Sequence, residues 1–165
     1  MKKIAVFPGS FDPFTVGHES VVRRSLAIFD EIIIAIGLNT NKNSYYPLEK
    51  RLSWIKEVFD DEPNVKAVRY RGLTVDFCKS VDARFLLRGL RTAADFEYER
   101  AIAQVNKAMD AGIESVFMLT SPEHTYVNSG IVRDILRHKG DARKFLPGKD
   151  DLKERIINYT PKDEN

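Results

Sequence analysis

Hydrophobic residues along the chain form short apolar runs that alternate with longer amphipathic stretches. Runs in which consecutive residues are apolar are typical of strands that are buried on both faces of a sheet. Five runs have this character, at residues 4–7, 31–38, 65–70, 85–87 and 116–119. A helix-like stretch separates each run from the next, so strands and helices are predicted to alternate.

Two of the stretches between the runs carry a clear helical period. In the first, residues 47–60, apolar residues spaced four, three and four apart predict one apolar helix face. These residues are Leu48, Leu52, Ile55 and Phe59. Residues 93–109 repeat the pattern with Phe96, Ile102 and Ala103, and a third helix is predicted after Ser129.

Five apolar strands that alternate with helices predict an α/β fold. The expected architecture is a doubly wound, mostly parallel five-stranded sheet with helices on both faces. The 165 residues fit a single domain that ends in a C-terminal helix and a short polar tail. Ligands of such sheets bind beyond the carboxyl ends of the strands, so the loops there are the first place to look for chemistry.

Charge and cysteine content narrow the classes of function. The chain has 26 basic and 24 acidic residues, interspersed along its length, which argues against a dedicated nucleic-acid binder but leaves small anionic ligands open. Its one cysteine, Cys78, allows neither an intrachain disulfide nor a cysteine-based zinc site and suits a reducing cytoplasm. The longest apolar run is far shorter than the ~20 residues of a membrane span.

The loop after the first predicted strand carries the first candidate chemistry. Residues 8–18 contain two glycines and end in Gly17-His18, just before a helix that is predicted to begin near Glu19. Such a loop presents backbone N–H groups and a helix N-terminus to a phosphate, although the common phosphate-binding glycine fingerprints are absent. A plain connecting turn explains the glycines alone. The histidine after Gly17 favours an anion site, because it can reach a ligand that the glycine lets approach closely.

Residues 9–13, Gly-Ser-Phe-Asp-Pro, together with residues 15–18, Thr-Val-Gly-His, resemble the signature of the nucleotidyltransferases. Further matches in the same order extend over most of the chain and resemble the phosphopantetheine adenylyltransferase family. They are Lys42 and residues 87–91, 95–99, 115–117, 140–141 and 145–147. The resemblance implies a Rossmann-like nucleotidyltransferase fold and transfer of the adenylyl group of ATP to 4′-phosphopantetheine, giving dephospho-CoA and pyrophosphate in coenzyme A biosynthesis. It also implies a cytoplasmic homohexamer and Mg²⁺ held chiefly by the phosphates of ATP rather than by protein ligands.

The resemblance assigns a role to individual residues. His18 is implied as the catalytic residue, donating a hydrogen bond to the α-phosphate in the transition state. The implied acceptor-binding residues are Ser10, Lys42, Thr74 and Arg88. The implied ATP-binding residues are Ser10, Phe11, His18, Gly89, Leu90, Arg91, Glu99, His124, Thr125, Tyr126, Val127, Asn128, Ser129 and Gly130.

Several of these residues also have ordinary structural interpretations. Lys42 lies in a polar loop where a lysine is usually solvated, and Thr74 is most simply a helix N-cap. Glu99 fits a helix ion pair, and Asn128 or Ser129 fits another N-cap.

The stretch from residue 124 to residue 130 departs from the family's usual pattern. That pattern has serine or threonine at the positions of Asn128 and Gly130. Phosphate contacts in this stretch are therefore expected mainly from backbone N–H groups at a helix N-terminus, which do not depend on the side chain.

Two other functions fit the first loop and His18. One is a nucleotidyltransferase with a different acceptor, such as nicotinate mononucleotide or glycerol phosphate. The other is a regulatory module that binds a nucleotide without turnover. Release of pyrophosphate separates the enzymes from the regulatory module, and a panel of acceptors separates the enzymes from each other.

Overall fold

A computed structural model of the chain describes residues 1–38 and 43–160. The strands are β1 (Ile4–Gly9), β2 (Glu31–Gly37), β3 (Val65–Tyr70), β4 (Phe85–Leu90) and β5 (Glu114–Leu119). The helices are α1 (Val16–Ser25), α2 (Leu48–Val58), α3 (Thr74–Ser80), α4 (Ala93–Met109), α5 (Ser129–Arg137) and α6 (Asp150–Ile157), with short 3₁₀ helices at Pro122–His124 and Arg143–Phe145. None of the helices in these two ranges has the length and hydrophobicity that crossing a membrane would require.

The five strands form one sheet in the order β3-β2-β1-β4-β5, and every neighbouring pair is parallel. The chain builds outwards from β1 through β2 to β3, then returns to the other side of β1 with β4 and β5. The strand order therefore reverses between β1 and β4. The predicted doubly wound α/β sheet is confirmed, and the loop with His18 follows a strand at the reversal point, where such sheets bind ligands.

Alternation along β1 builds a core on each face of the sheet. Ala5 and Phe7 belong to a large apolar cluster that also takes in buried residues of α1, α2, α5 and α6. Val6 points the other way, into a smaller cluster with Val75 and Cys78 of α3. Helices thus cover both faces, as predicted, and Cys78 is fully buried.

Two element boundaries differ from the predictions in ways that matter for the site. Helix α1 begins at Val16 rather than near Glu19, so Gly17 and His18 lie in its first turn. Strand β4 continues to Leu90 instead of ending with its apolar run, so Arg88 lies within the strand. A hydrophobic run ends at the first charged residue. A strand can continue through that residue when the charged side chain is paired with an opposite charge.

Helix α4 spans the predicted residues, yet its predicted apolar face is not buried within the chain. Glu99 is the one buried residue in this helix. Exposed apolar residues spaced four, three and four apart form what we call the α4 stripe: Tyr98, Ile102, Val105 and Met109, between 36% and 69% exposed. The period predicts the helix correctly but cannot tell whether the same chain covers its apolar side.

Candidate active site

Two cavities adjoin at the carboxyl ends of β1 and β4. The larger has a volume of about 460 Å³ and the smaller about 280 Å³. Both are lined by Pro8, Gly9, Ser10 and Arg88, which we call the shared wall. Two ligands that occupy the two cavities would therefore meet across a backbone loop and one guanidinium group.

His18 lines the larger cavity and is held by the N-terminus of its own helix. Thr15 is the N-cap of α1, and its hydroxyl accepts a hydrogen bond from the His18 backbone N–H at 3.4 Å. In return, His18 Nδ1 accepts a hydrogen bond from the Thr15 backbone N–H at 3.0 Å. This reciprocal arrangement is a capping box in which histidine takes the place of the usual glutamate.

The capping box also fixes the protonation state of the imidazole. A backbone N–H can only donate, so Nδ1 must carry a lone pair and the ring proton of the neutral form resides on Nε2. Burial lowers the His18 pKa to about 4, assisted by the nearby charges of Arg91 and Arg88. At neutral pH, His18 is therefore an uncharged Nε2–H donor.

Three aromatic rings hold the imidazole in place from its other sides. The ring of His18 lies edge-on to Phe11 at a centroid distance of 5.1 Å, and Phe14 lies at 5.2 Å. Phe7 completes the group at 6.2 Å. This packing supplies the burial that keeps the ring neutral.

Three arginines give the larger cavity its charge. Arg88, Arg91 and Arg133 line it, and no aspartate or glutamate is among the residues that the structure describes in its wall. Arg133 also donates from Nη1 to the carbonyl oxygen of Asp12 at 2.7 Å. We did not predict Arg133 from the sequence, although it lies three residues after Gly130 on the same predicted helix. The cavity suits a polyanionic ligand.

Arg88 is oriented by two partners on either side of it. Its guanidinium forms a two-pronged ion pair with the carboxylate of Glu99, and Nη1 donates to the Pro8 carbonyl at 2.7 Å. Glu99 lines the smaller cavity rather than the larger one. Glu99 therefore lies beside Arg88, the residue implied to bind the acceptor. The ion pair of Glu99 joins α4 to β4, whereas the sequence predicts an ion pair within one helix.

Thr74 lies in the wall of the smaller cavity together with Tyr70 and Gly37. Its interpretation as an N-cap is wrong, because Leu73 precedes the helix and Thr74 is the first helical residue. Its hydroxyl instead lies 2.8 Å from the hydroxyl of Tyr70. Tyr70 is the last residue of a predicted strand. This position at a strand end is the one sequence feature that could have marked it as a site residue.

The stretch from 124 to 130 lies only partly in the wall of the larger cavity. Val127, Asn128, Ser129 and Gly130 line the larger cavity. The other three residues of the stretch are not part of its wall: His124, Thr125 and Tyr126.

The two polar side chains in this wall already have partners. Asn128 is the N-cap of α5, and its Oδ1 accepts a hydrogen bond from the Ile131 N–H at 2.9 Å. The Ser129 hydroxyl donates to the Pro13 carbonyl at 2.8 Å. Backbone N–H groups of the first turn are thus the donors that remain for a ligand here.

The stretch after Arg88 is also divided. Gly89 and Arg91 line the larger cavity, whereas Leu90 is buried and is absent from its wall. Gly89 allows α1 to pack closely, because a Cβ atom there would lie 3.3 Å from Val21. The remaining implied site residue, Lys42, lies outside the described residues.

Together these groups can stabilise charge on a phosphate but offer little to a metal ion. A neutral Nε2–H donor, three guanidinium groups and the backbone N–H groups at two helix N-termini face one cavity. The described part of the chain contains no cluster of three or more His, Cys, Asp or Glu residues that could hold a metal. The geometry suits group transfer between anionic ligands.

Comparisons of the sequence point to one family. The profile described as cytidylyltransferase-like matches residues 6–135. A phosphopantetheine adenylyltransferase from Bacteroides fragilis is 51% identical over 143 residues, which cover 87% of this chain and 95% of that protein. Another from Lachnoclostridium phytofermentans is 48% identical over 145 residues, covering 88% and 89% respectively.

Solved structures with the same fold are more distant in sequence. A bifunctional NMN adenylyltransferase/ADP ribose pyrophosphatase from Francisella tularensis superposes with a TM-score of 0.71 at 15% identity, covering 96% of this chain and 51% of that one. A Vibrio parahaemolyticus protein assigned as a nicotinate-nucleotide adenylyltransferase gives 0.68 at 22% identity, covering 96% and 100%. At these identities the likeness is one of fold.

Proposed function

Because this chain belongs to the phosphopantetheine adenylyltransferase family, we propose that it transfers the adenylyl group of ATP to 4′-phosphopantetheine. The products are dephospho-CoA and pyrophosphate, so the reaction is a step of coenzyme A biosynthesis. We assign ATP to the larger cavity, with its three arginines, and the acceptor to the smaller one.

The observation that carries this proposal is the shared wall. Transfer requires the phosphate of the acceptor to lie beside the α-phosphate of ATP, and the two cavities adjoin at Ser10 and Arg88. A guanidinium held from both sides, as Arg88 is by Glu99 and Pro8, presents its donors in a fixed direction. Positioning of this kind supplies a large part of the rate enhancement in phosphoryl-type transfers.

The chemistry needs no protein nucleophile. A phosphate oxygen of the acceptor, already anionic at neutral pH, attacks the α-phosphorus of ATP. The bond from that phosphorus to the oxygen bridging the α- and β-phosphates breaks, and its electron pair leaves with pyrophosphate. His18 donates its Nε2–H to a non-bridging oxygen of the α-phosphate, where charge changes most in the transition state.

We propose that Mg²⁺ enters as the complex with ATP. The residues described in the wall of the larger cavity include no carboxylate, which supports coordination by phosphate oxygens and water. The three arginines of the larger cavity would be available to bind phosphate oxygens of such a complex.

The choice of acceptor rests on sequence similarity. The adenylyltransferases of pyridine nucleotides share the fold at 15–22% identity, whereas the phosphopantetheine adenylyltransferases are about half identical over nearly their whole length. Tyr70 and Thr74 add a polar pair to the wall of the smaller cavity, which suits the amide and hydroxyl groups of a pantetheine arm.

We further propose a cytoplasmic homohexamer. The α4 stripe is a continuous exposed apolar face on the helix that also carries the site residue Glu99. A second copy of the chain is the occupant that family membership favours. Burying the stripe would also stiffen the helix that orients Arg88.

A panel of acceptors tests the reaction. The protein is incubated with Mg²⁺-ATP and, separately, 4′-phosphopantetheine, nicotinate mononucleotide and glycerol phosphate, while released pyrophosphate is measured. We expect pyrophosphate to be released with 4′-phosphopantetheine and with neither of the other two acceptors. Release only with another acceptor would reassign the substrate, and ATP binding without any release would favour the regulatory module.

A further inference from the structure

We infer that Arg51, a buried arginine of α2 outside both cavity walls, is a positioning residue that holds the loop after β1 in its phosphate-binding shape. This inference rests on the proposed function and deepens it. Arg51 is only 7% exposed, and its described hydrogen bonds all go to uncharged oxygens. A buried guanidinium committed to loop oxygens indicates that those loops must keep one arrangement.

The guanidinium of Arg51 joins two loops that are distant in sequence. Nη1 donates to the Ser10 carbonyl at 2.5 Å, in the loop after β1. Nε donates to the Tyr46 carbonyl at 2.9 Å and Nη2 to the Ser44 hydroxyl at 3.2 Å, both in the segment before α2. The rigid planar fork of arginine can serve three such acceptors at once, whereas the single ammonium of lysine cannot keep the same geometry.

The bond to Ser10 determines where the next N–H points. The Ser10–Phe11 peptide is trans and planar, so its carbonyl and the Phe11 N–H point in opposite directions. With the carbonyl directed at Arg51, the Phe11 N–H is turned to the opposite side of the loop. Both residues line the larger cavity, so we assign this N–H to the phosphates there.

The loop needs such support because its backbone is unusual. Phe11 has a φ of 46°, in the left-handed region that large side chains rarely adopt. Conformations of this kind persist only where surrounding contacts impose them. The bond from Arg51 acts on the peptide immediately before Phe11, where it fixes the strained geometry most directly.

Asp12 holds the other side of the same arrangement. Its carboxylate is 6% exposed and accepts hydrogen bonds from the backbone N–H groups of Tyr45 at 2.7 Å and Tyr46 at 2.9 Å. The segment from 44 to 46 is thus joined to the loop after β1 through both the carboxylate of Asp12 and the guanidinium of Arg51. Loosening Arg51 should release both loops together.

Two variants of Arg51 and one control test this role. Arg51→Met keeps the apolar stem and removes every donor, and Arg51→Lys keeps the charge without the fork. Arg23→Met is the matched control, because Arg23 on α1 also donates to a backbone carbonyl, that of Val58 at 3.0 Å, and lines neither cavity. For each protein we would measure thermal unfolding, the Kd for ATP by calorimetry, and kcat and KM for both substrates.

We expect Arg51→Met to raise the Kd for ATP about tenfold, the equivalent of one lost hydrogen bond of 1.4 kcal/mol, with Arg51→Lys between it and the parent. Arg23→Met should lower the unfolding temperature while leaving the Kd and KM values unchanged. A folded Arg51→Met with the parental Kd for ATP would overturn the inference, as would an equal loss of ATP binding in the control. If Arg51→Met does not fold, the Kd of Arg51→Lys decides in the same way. A parent that binds ATP but releases no pyrophosphate would refute the proposed function without affecting this test.

Discussion

At the scale of single residues, His18 uses the two ends of one ring for different tasks. Nδ1 completes the capping box of α1 through the Thr15 backbone, and Nε2 is left to face the larger cavity as a donor. A side chain that only donates, such as lysine, would lose the cap. In the proposed mechanism, the histidine therefore joins helix initiation to transition-state stabilisation.

Removing the imidazole should slow turnover more than it weakens binding. We expect His18→Ala to reduce kcat on the order of 10²-fold, as the loss of one donor to a developing charge does, with a much smaller change in the Kd for ATP. His138→Ala is the control, because His138 is 79% exposed beyond the end of α5. Steady-state kinetics together with ATP calorimetry measure both effects, and parental turnover by His18→Ala would rule out the proposed role.

The depressed pKa of His18 makes the stability of the fold depend on pH. The folded pKa of about 4 lies below the ordinary value of 6.5. Between these values the unfolded chain binds a proton that the folded chain does not, so acidification favours unfolding. The stabilisation is complete above about pH 6.5 and is lost as the pH falls through about 4.

Comparison with a variant that cannot titrate isolates this contribution. We expect the free energy of unfolding of the parent, minus that of His18→Gln, to decrease steadily from pH 6.5 to pH 4. Urea unfolding at several pH values measures it, and NMR titration of the ring gives the pKa directly. A ring that titrates near 6.5 would show that burial does not control its charge.

At the scale of elements, the N-terminus of α5 lacks the serine or threonine hydroxyl groups that the family's usual pattern has at two positions. Backbone N–H groups of the helix can serve as donors in their place. Asn128 and Ser129 both use their side chains to fix the start of the helix. Gly130 adds only its backbone N–H to the cavity wall, and a Cβ atom there would lie 3.2 Å from Asn128 Oδ1. The donor at this position is independent of the side chain.

Three substitutions at Gly130 separate the N–H group from the side chain. Gly130→Ala and Gly130→Ser keep the N–H and should bind ATP like the parent, after a small shift of Asn128. Gly130→Pro removes the N–H at a first-turn position that tolerates proline, so we expect it to lose ATP affinity. Circular dichroism verifies folding, and calorimetry gives the Kd values. If the folded alanine and proline variants bind ATP equally, this N–H does not contact phosphate.

The hydrophobic pattern of the sequence predicts which helices and strands exist. It predicts less well where each one ends and which other elements it contacts. All five strands and the helices after Pro47, Thr92 and Asn128 lie close to where the hydrophobic period places them. The extension of β4 through Arg88 depends on Glu99, a partner eleven residues away on another element. Periodicity describes one segment at a time, so it cannot reveal such a partner.

The same limit applies to the candidate site. Ser10, Phe11, His18 and Arg88, which the resemblance singles out, all line the larger cavity. Arg51 and Asp12 act across 41 and 34 residues of sequence, through backbone atoms that every residue possesses. Nothing in the pattern of side chains marks contacts of that kind.

At the scale of the whole molecule, the α4 stripe is the largest departure from the rule that apolar helix faces are covered. Its residues lie on the helix that carries Glu99, so the proposed assembly surface and the proposed acceptor site share one element. Ile102 belongs both to the stripe and to the wall of the smaller cavity. Association of chains should therefore influence acceptor binding.

A charge placed on the stripe should break the assembly. We expect the parent to have a mass six times the 18.9 kDa of one chain, and Val105→Glu, at a position that is 59% exposed, to give smaller species. Gln104→Glu adds the same charge one residue away, off the stripe, and should keep the parental mass. Light scattering after size exclusion measures all three, and a parent that behaves as a single chain would refute the hexamer.

The shared wall has a consequence for the order of events in turnover. Ser10 and Arg88 lie between the two cavities, so the proposed sites would give the adenylyl group a direct path between two ligands bound at the same time. Initial rates measured at several fixed acceptor concentrations should then give double-reciprocal lines that intersect. Parallel lines would mean that pyrophosphate departs before the acceptor binds. The protein itself would then have to hold the adenylyl group between the two steps. Exchange of labelled pyrophosphate into ATP should likewise require dephospho-CoA, since only a ternary complex can run the reaction backwards.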